Sequence, residues 1–201
     1  MKSIFINLVL VVLGFAIGGT FALYNLKKVS QEADFMLTNG PWKVNPSMDL
    51  KNPKQRALIA MVGLFALRES EVLYYNATID SDGNPLSSDH EYLLSGIVPE
   101  ARYWSYTIYG EDDFLIPNES KLYGYNAETI NYSVKDSLNP EINDRWQDSY
   151  QIKISSKEQA GNWLPSGQNQ ALSITLRLYN AAPSVYQNLS EVPLPEIVKI
   201  N

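Results

Sequence analysis

Near the C-terminus, apolar and polar residues alternate with a period of two. Leu172, Ile174, Leu176 and Leu178 lie on one face of an extended chain, and Ser173, Thr175 and Arg177 on the other. A slip of one residue would expose four aliphatic side chains, so the register of this strand is strongly specified. Ahead of it runs Gly161-Asn162-Trp163-Leu164-Pro165-Ser166-Gly167, a turn bounded by glycine and proline around one large aromatic. One apolar and one wet face define a strand of an antiparallel β domain.

The same reading applies upstream. Val72–Ile79 and Glu91–Val98 read as strands joined across Asp80-Ser81-Asp82-Gly83-Asn84-Pro85, which predicts a hairpin. Arg102–Tyr109, Phe114–Ile116, Lys121–Tyr125, Ile130–Val134 and Tyr150–Ser155 are further short, turn-bounded β runs. The tail, Ile197-Val198-Lys199-Ile200 behind Pro193 and Pro195, reads as an edge strand. This spacing predicts a mainly β fold, a jelly-roll-like antiparallel β-sandwich, and not βαβ units.

One helix is expected within that body. Asn52 and Pro53 supply an N-cap and a first-turn proline for a helix over Lys54–Glu69. Ala57, Leu58, Ala60, Met61, Leu64, Phe65 and Leu67 leave it little polar face, yet it is too short to span a bilayer. It must pack on the sheet or on a partner, and Leu58, Met61 and Phe65 are the candidate partner-interface residues.

A second apolar stretch, Ile4–Leu23, is interrupted only by Asn7, three glycines and Thr20. Twenty residues at 1.5 Å each span about 30 Å, the hydrocarbon thickness of a bilayer. Lys2 flanks one end and Lys27-Lys28 the other. A cleaved signal peptide would use Ile4–Ile17 as its apolar region and Thr20-Phe21-Ala22 as its small-residue site. Span length favours an uncleaved transmembrane anchor, with the lipid bilayer met through residues 4–23. The flanking lysines nearly cancel, so charge does not decide orientation; a large domain behind a short tail favours a periplasmic body. The predicted organisation is an anchor over 1–28, an extended connector over 29–52 pinned by Trp42, and a β-sandwich domain over 53–201.

Composition narrows the function. The absence of cysteine excludes disulfides, thiolate metal sites and cysteine nucleophiles. From Glu32 onward 13 basic residues face 22 acidic ones, a net −9. A body of that sign repels phosphate backbones, so nucleic acid is not an expected partner.

The chemistry-bearing residues are few. His90 is the one histidine, which rules out histidine-pair metal motifs and leaves it without an obvious catalytic partner. Asp80, Asp82, Asn84 and Glu91 imitate calcium-loop spacing, but Pro85 stands where such a loop needs glycine, and a turn accounts for the residues. Glu111-Asp112-Asp113 reads as a solvated loop tip; as an enzyme the chain would use Asp112, Asp113, Glu69 or Glu71 as acid and base in an aromatic cleft, acting on glycans or esters. A third class is a carbohydrate- or lipid-binding module using the same aromatics without catalysis. No cofactor, metal or nucleotide motif is present. The residues expected to bind are Arg102 and Arg177 with Trp104 and Trp163, a recessed anchor for an anionic group through bidentate and stacking contacts.

Arg102-Tyr103-Trp104-Ser105-Tyr106-Thr107-Ile108-Tyr109, Phe114-Leu115-Ile116-Pro117-Asn118, Gly161–Gly167 and Leu176-Arg177-Leu178-Tyr179 together resemble the bacterial family catalogued as domain of unknown function 1214. Arg68–Tyr74 and Asp80–Gly83 extend the match. The resemblance implies a jelly-roll-like domain and kinship with larger proteins that fuse it behind a domain of unknown function 1254. It supplies no catalytic residue. The expectation is a membrane-anchored interaction module, without catalysis, docking a partner protein such as a separate 1254-type polypeptide.

Overall fold

The computed structural model describes residues 2–31, 36–45, 53, 56, 67–68, 70–132 and 150–201. The chain divides into two units: Met1–Phe35 with Met48–Ala66, and Met36–Ser47 with Leu67–Asn201. In the first, α1 covers Lys2–Gln31. Its stretch Ser3–Asn25 is long and apolar enough to cross a membrane, a description that a signal sequence also meets. Thr20 Oγ1 donates to the Ala16 carbonyl at 2.7 Å and Asn25 Nδ2 to that of Phe21 at 2.8 Å. Thr20 and Asn25 thus return their side-chain donors to the helix's own carbonyls, which lowers the cost of placing them in an apolar solvent. Pro53 and Arg56 are helical. The rest of the expected helix, with Leu58, Met61 and Phe65, lies outside the described residues.

The second unit is built from strands β1 (Leu37–Asn39), β2 (Trp42–Val44), β3 (Val72–Ala77), β4 (Tyr92–Gly96), β5 (Ala101–Tyr109), β6 (Gly124–Asn126), β7 (Tyr150–Ser155), β8 (Trp163–Pro165), β9 (Ser173–Ala181) and β10 (Glu196–Lys199), with the short helix α2 (Pro183–Gln187). They form a six-stranded sheet, β1-β2-β3-β9-β5-β6, and a four-stranded sheet, β10-β4-β7-β8. All pairs are antiparallel except β7 and β8, whose parallel pairing covers three residues. So short a pair needs no helical crossover, and the loop over 156–162 suffices.

The period-two alternation of β9 sets the core. Ile174, Leu176 and Leu178 are buried on one face of the strand, and Leu176 pairs with Tyr75 on β3 and Tyr106 on β5. The second sheet contributes Tyr92, Leu94, Ile152, Ile154 and Leu164 to the same cluster, so the fold is mainly β with two sheets sharing one core. Each fully buried aliphatic side chain contributes about 1.5–3 kcal/mol of transfer free energy. α2 adds Val185, and Trp104 stacks on Tyr150 with ring centroids 5.4 Å apart.

Several local expectations differ from the structure. β3 and β4 do not form a hairpin: β3 pairs with β2 and β9, β4 with β10 and β7. Past the Asp80 turn the chain keeps one bridge, Ile79 to Pro85, and then crosses between sheets. The nine-residue β9 is the longer and better matched partner, pairing with all six residues of β3. The segment expected as an extended connector contains the β1–β2 hairpin, which extends the six-stranded sheet. Trp42 does pin it: the ring is fully buried, and Nε1 donates to the Pro195 carbonyl at 2.7 Å. In place of the strand expected over Lys121–Tyr125 stands the three-residue β6, and Ile130 lies in no strand. β10 is an edge strand as expected, its free edge met at Ile197 by Ser81, which donates its N–H to the Ile197 carbonyl and accepts from the Ile197 N–H.

Candidate functional site

Among the described residues, the outward face of the six-stranded sheet carries a polar–aromatic cluster that the core does not explain. Strand parity builds it. β9 presents Thr175, Arg177 and Tyr179; β3 presents Tyr74 and Asn76; β5 presents Tyr103, Ser105, Thr107 and Tyr109. Arg177 sits in the middle, paired in register with Tyr74 on one side and Ser105 on the other.

Its guanidinium is held from two sides. Nη1 donates to Thr107 Oγ1 at 2.9 Å, and Nη2 to the Tyr109 hydroxyl at 2.6 Å. The guanidinium carbon lies 5.8 Å from the ring centroids of both Tyr74 and Tyr109. Contacts of this kind contribute about 0.5–1 kcal/mol each at partly exposed sites. Tyr74 is itself anchored, its hydroxyl accepting from the Leu67 N–H at 3.1 Å. Beside the cluster, Thr175 Oγ1 donates to Asn76 Oδ1 at 2.7 Å, and the Tyr103 and Tyr179 rings meet at 5.6 Å. Arg177 and both tyrosines are half-buried, while Val72 and Thr175 on the same face are buried.

Two of the five guanidinium N–H donors are thereby given to neutral oxygens. Among the described residues no carboxylate pairs with Arg177. The arrangement is a cation fixed in orientation with donors to spare, suited to a planar anionic group and shielded by ring faces.

Only Arg177 of the four expected binding residues lies here. Trp104 has the opposite parity on β5 and is buried between the sheets at 7% exposure. Arg102 shares the parity of Trp104 but lies exposed near the strand's start. Trp163 belongs to β8 of the other sheet, where Nε1 donates to the Ser155 carbonyl and Oγ, each at 3.1 Å. The structure therefore does not assemble the expected anchor; Tyr74, Thr107 and Tyr109 stand where the tryptophans were expected. Alternation along Trp104-Ser105-Tyr106-Thr107-Ile108-Tyr109 was the available signal, since it separates Thr107 and Tyr109 from Trp104.

The remaining motifs serve the fold. Asn162 clamps three segments: Oδ1 accepts from the Asn131 N–H at 2.9 Å, and Nδ2 donates to the carbonyls of Asn131 at 2.7 Å and Gln151 at 2.9 Å. The Asp80 carboxylate is buried and accepts from the backbone N–H groups of Asp82 at 3.0 Å and Asn84 at 2.8 Å. Burial alone would raise its pKa, but hydrogen bonds from Asn84, Asp82 and Gly83 outweigh it and hold the group below the usual carboxylate range. This is a self-satisfied turn, not a calcium loop. His90 is half-buried, with Nε2 3.2 Å from Lys199 Nζ. Glu111, Asp112 and Asp113 are exposed in a loop, whereas Trp104 is buried, and Asp112 Oδ1 accepts from the Phe114 N–H at 3.0 Å. Glu71 is exposed and Glu69 lies outside the described residues. Among the described residues no group of three His, Asp or Glu side chains could hold a metal.

Two sheets around one core, with an Arg–Tyr cluster on the outward face, define a β-rich domain. The chain belongs to the family described as protein of unknown function (DUF1214), whose sequence pattern matches residues 71–183, more than half of its length. Its fold is similar to that of the VPA0106 protein from Vibrio parahaemolyticus, with a TM-score of 0.54 and 24% identity over 73% of this chain and 36% of that one. An uncharacterised protein from Burkholderia cenocepacia is similar at a TM-score of 0.45 and 12% identity, over 65% of this chain and 30% of that one. The chain thus spans about a third of the length of these solved structures. No curated protein matches it.

Proposed function

We propose that this protein is a membrane-tethered, non-catalytic binding module. α1 holds the β body at a bilayer, on the periplasmic side, and the outward face around Arg177 receives an anionic group of a partner protein. The observation that carries this reading is the setting of Arg177, half-buried among tyrosines and bonded to neutral oxygens in a body of net −9. A fixed cation with unused donors is a recognition device, whereas a structural arginine on a strand face ordinarily pairs with a neighbouring carboxylate. The larger fused proteins of the resembling family suggest a candidate partner, a domain of unknown function 1254 protein encoded in the same genome. The full chain, co-expressed with that protein and extracted in detergent, should retain it on an affinity column. Arg177→Met should abolish retention, and Arg177→Lys, which keeps the charge but loses the planar fork, should weaken it. A wild-type chain that elutes alone and monomeric, or retention indifferent to Arg177→Met, overturns the reading.

A further inference from the structure

The loop between β5 and Ile116 carries an apolar side chain that the fold does not use. Phe114 is 73% exposed and Leu115 44%. Outside α1, no other large apolar residue among those described is as exposed as Phe114, the next being Ile200 at 51%. The loop holding it is tightly bonded: Gly110 N–H to the Phe114 carbonyl at 3.0 Å, Asp113 N–H to the Gly110 carbonyl at 3.1 Å, and Phe114 N–H to Asp112 Oδ1 at 3.0 Å. Leu115 bridges back to Tyr109, the residue whose hydroxyl receives Arg177. A backbone-bonded loop thus holds an aromatic residue out in water, next in sequence to Leu115, which bridges to a strand of the Arg177 cluster.

We infer that Phe114 and Leu115 form a preorganised knob that enters an apolar pocket on a protein partner, and that this pocket is rimmed by lysine or arginine. Exposed aromatics on ordered loops suit binding because little freedom is lost on docking. Charge selects the occupant. Glu111, Asp112 and Asp113, all exposed, immediately precede the knob in the same loop, and their three negative charges oppose approach to an anionic lipid surface and to a second copy of this chain, whose body is −9. A basic rim is the complementary surface.

The inference deepens the binding-module reading and rests on it, and the test separates the two. The full chain carrying Phe114→p-benzoylphenylalanine is irradiated in bacterial membranes, with the same substitution at exposed Glu158 as control. The expected result is one discrete protein adduct at position 114 and none at 158, with the cross-linked peptide containing apolar residues beside Lys or Arg. Adding Glu111→Lys should lower the adduct yield by about fivefold, the effect of reversing one rim charge. Adducts only to lipid or to a second copy, a partner peptide without basic residues, a yield indifferent to Glu111→Lys, or no adduct overturns the knob. If Arg177→Met still abolishes partner retention in that event, the tethered module stands and the knob alone falls.

Discussion

The hydroxyls of Tyr106 on β5 and Tyr150 on β7 meet at 2.5 Å in the core, joining the two sheets through one hydrogen bond. Both side chains are almost fully buried, and desolvation, first among the causes, pushes both pKa values far above that of free tyrosine. Burial thus favours the neutral hydroxyls, one of which donates to the other.

Removing one hydroxyl leaves the other buried without its partner. Tyr106→Phe and Tyr150→Phe should therefore each destabilise by about 1–3 kcal/mol, whereas the double variant should cost less than the sum of the two. Urea unfolding of the four proteins measures the coupling. Additive losses would show that the hydroxyls are satisfied independently.

Asp80 predicts an acid-linked loss of stability. Its folded pKa is depressed below the unfolded value of about 3.9, so its contribution is present above that value. It is lost as pH falls through the folded pKa. Asp80→Ala, which strands the Asp82 and Asn84 N–H groups, should cost about 1–3 kcal/mol at pH 7. The gap between wild type and variant should narrow below pH ~4. Urea midpoints from pH 7 to pH 2 give the answer, and a gap constant with pH would contradict the assignment.

Asn162 should tolerate no charge. Asn162→Ala loses a three-point clamp and should cost about 1–3 kcal/mol. Asn162→Asp is expected to be worse at pH 7, because a carboxylate oxygen would face the Asn131 and Gln151 carbonyls where Nδ2 now donates. Thermal unfolding should rank the proteins wild type, Ala, Asp, with the Asp variant partly recovering on mild acidification.

The two glycines that bracket Trp163 differ in their surroundings. Both have positive φ, 86° at Gly161 and 67° at Gly167. A Cβ at Gly161 would meet open space, whereas at Gly167 it would overlap the Gln170 side chain and lie 2.8 Å from Ile116 Cγ2. Gly161→Ala should cost about 1 kcal/mol, the backbone term alone, and Gly167→Ala clearly more. Equal melting temperatures for the two variants would contradict this.

Taken by itself, the sequence determined the local facts: the two faces of β9, the short turn-bounded strands, the burial of Trp42, and an apolar stretch long enough to cross a bilayer. These follow from side-chain period and backbone restriction, which act over a few residues. Which strand pairs with which was decided by the tertiary structure. β3 has the same local pattern beside β4 as beside β9, and only the length and register of the distant partner select β9. The Arg177 cluster was half legible for the same reason. Its parity could be read along one strand, but Tyr74 and Tyr109 come from two other strands that meet Arg177 only once sheet order is set.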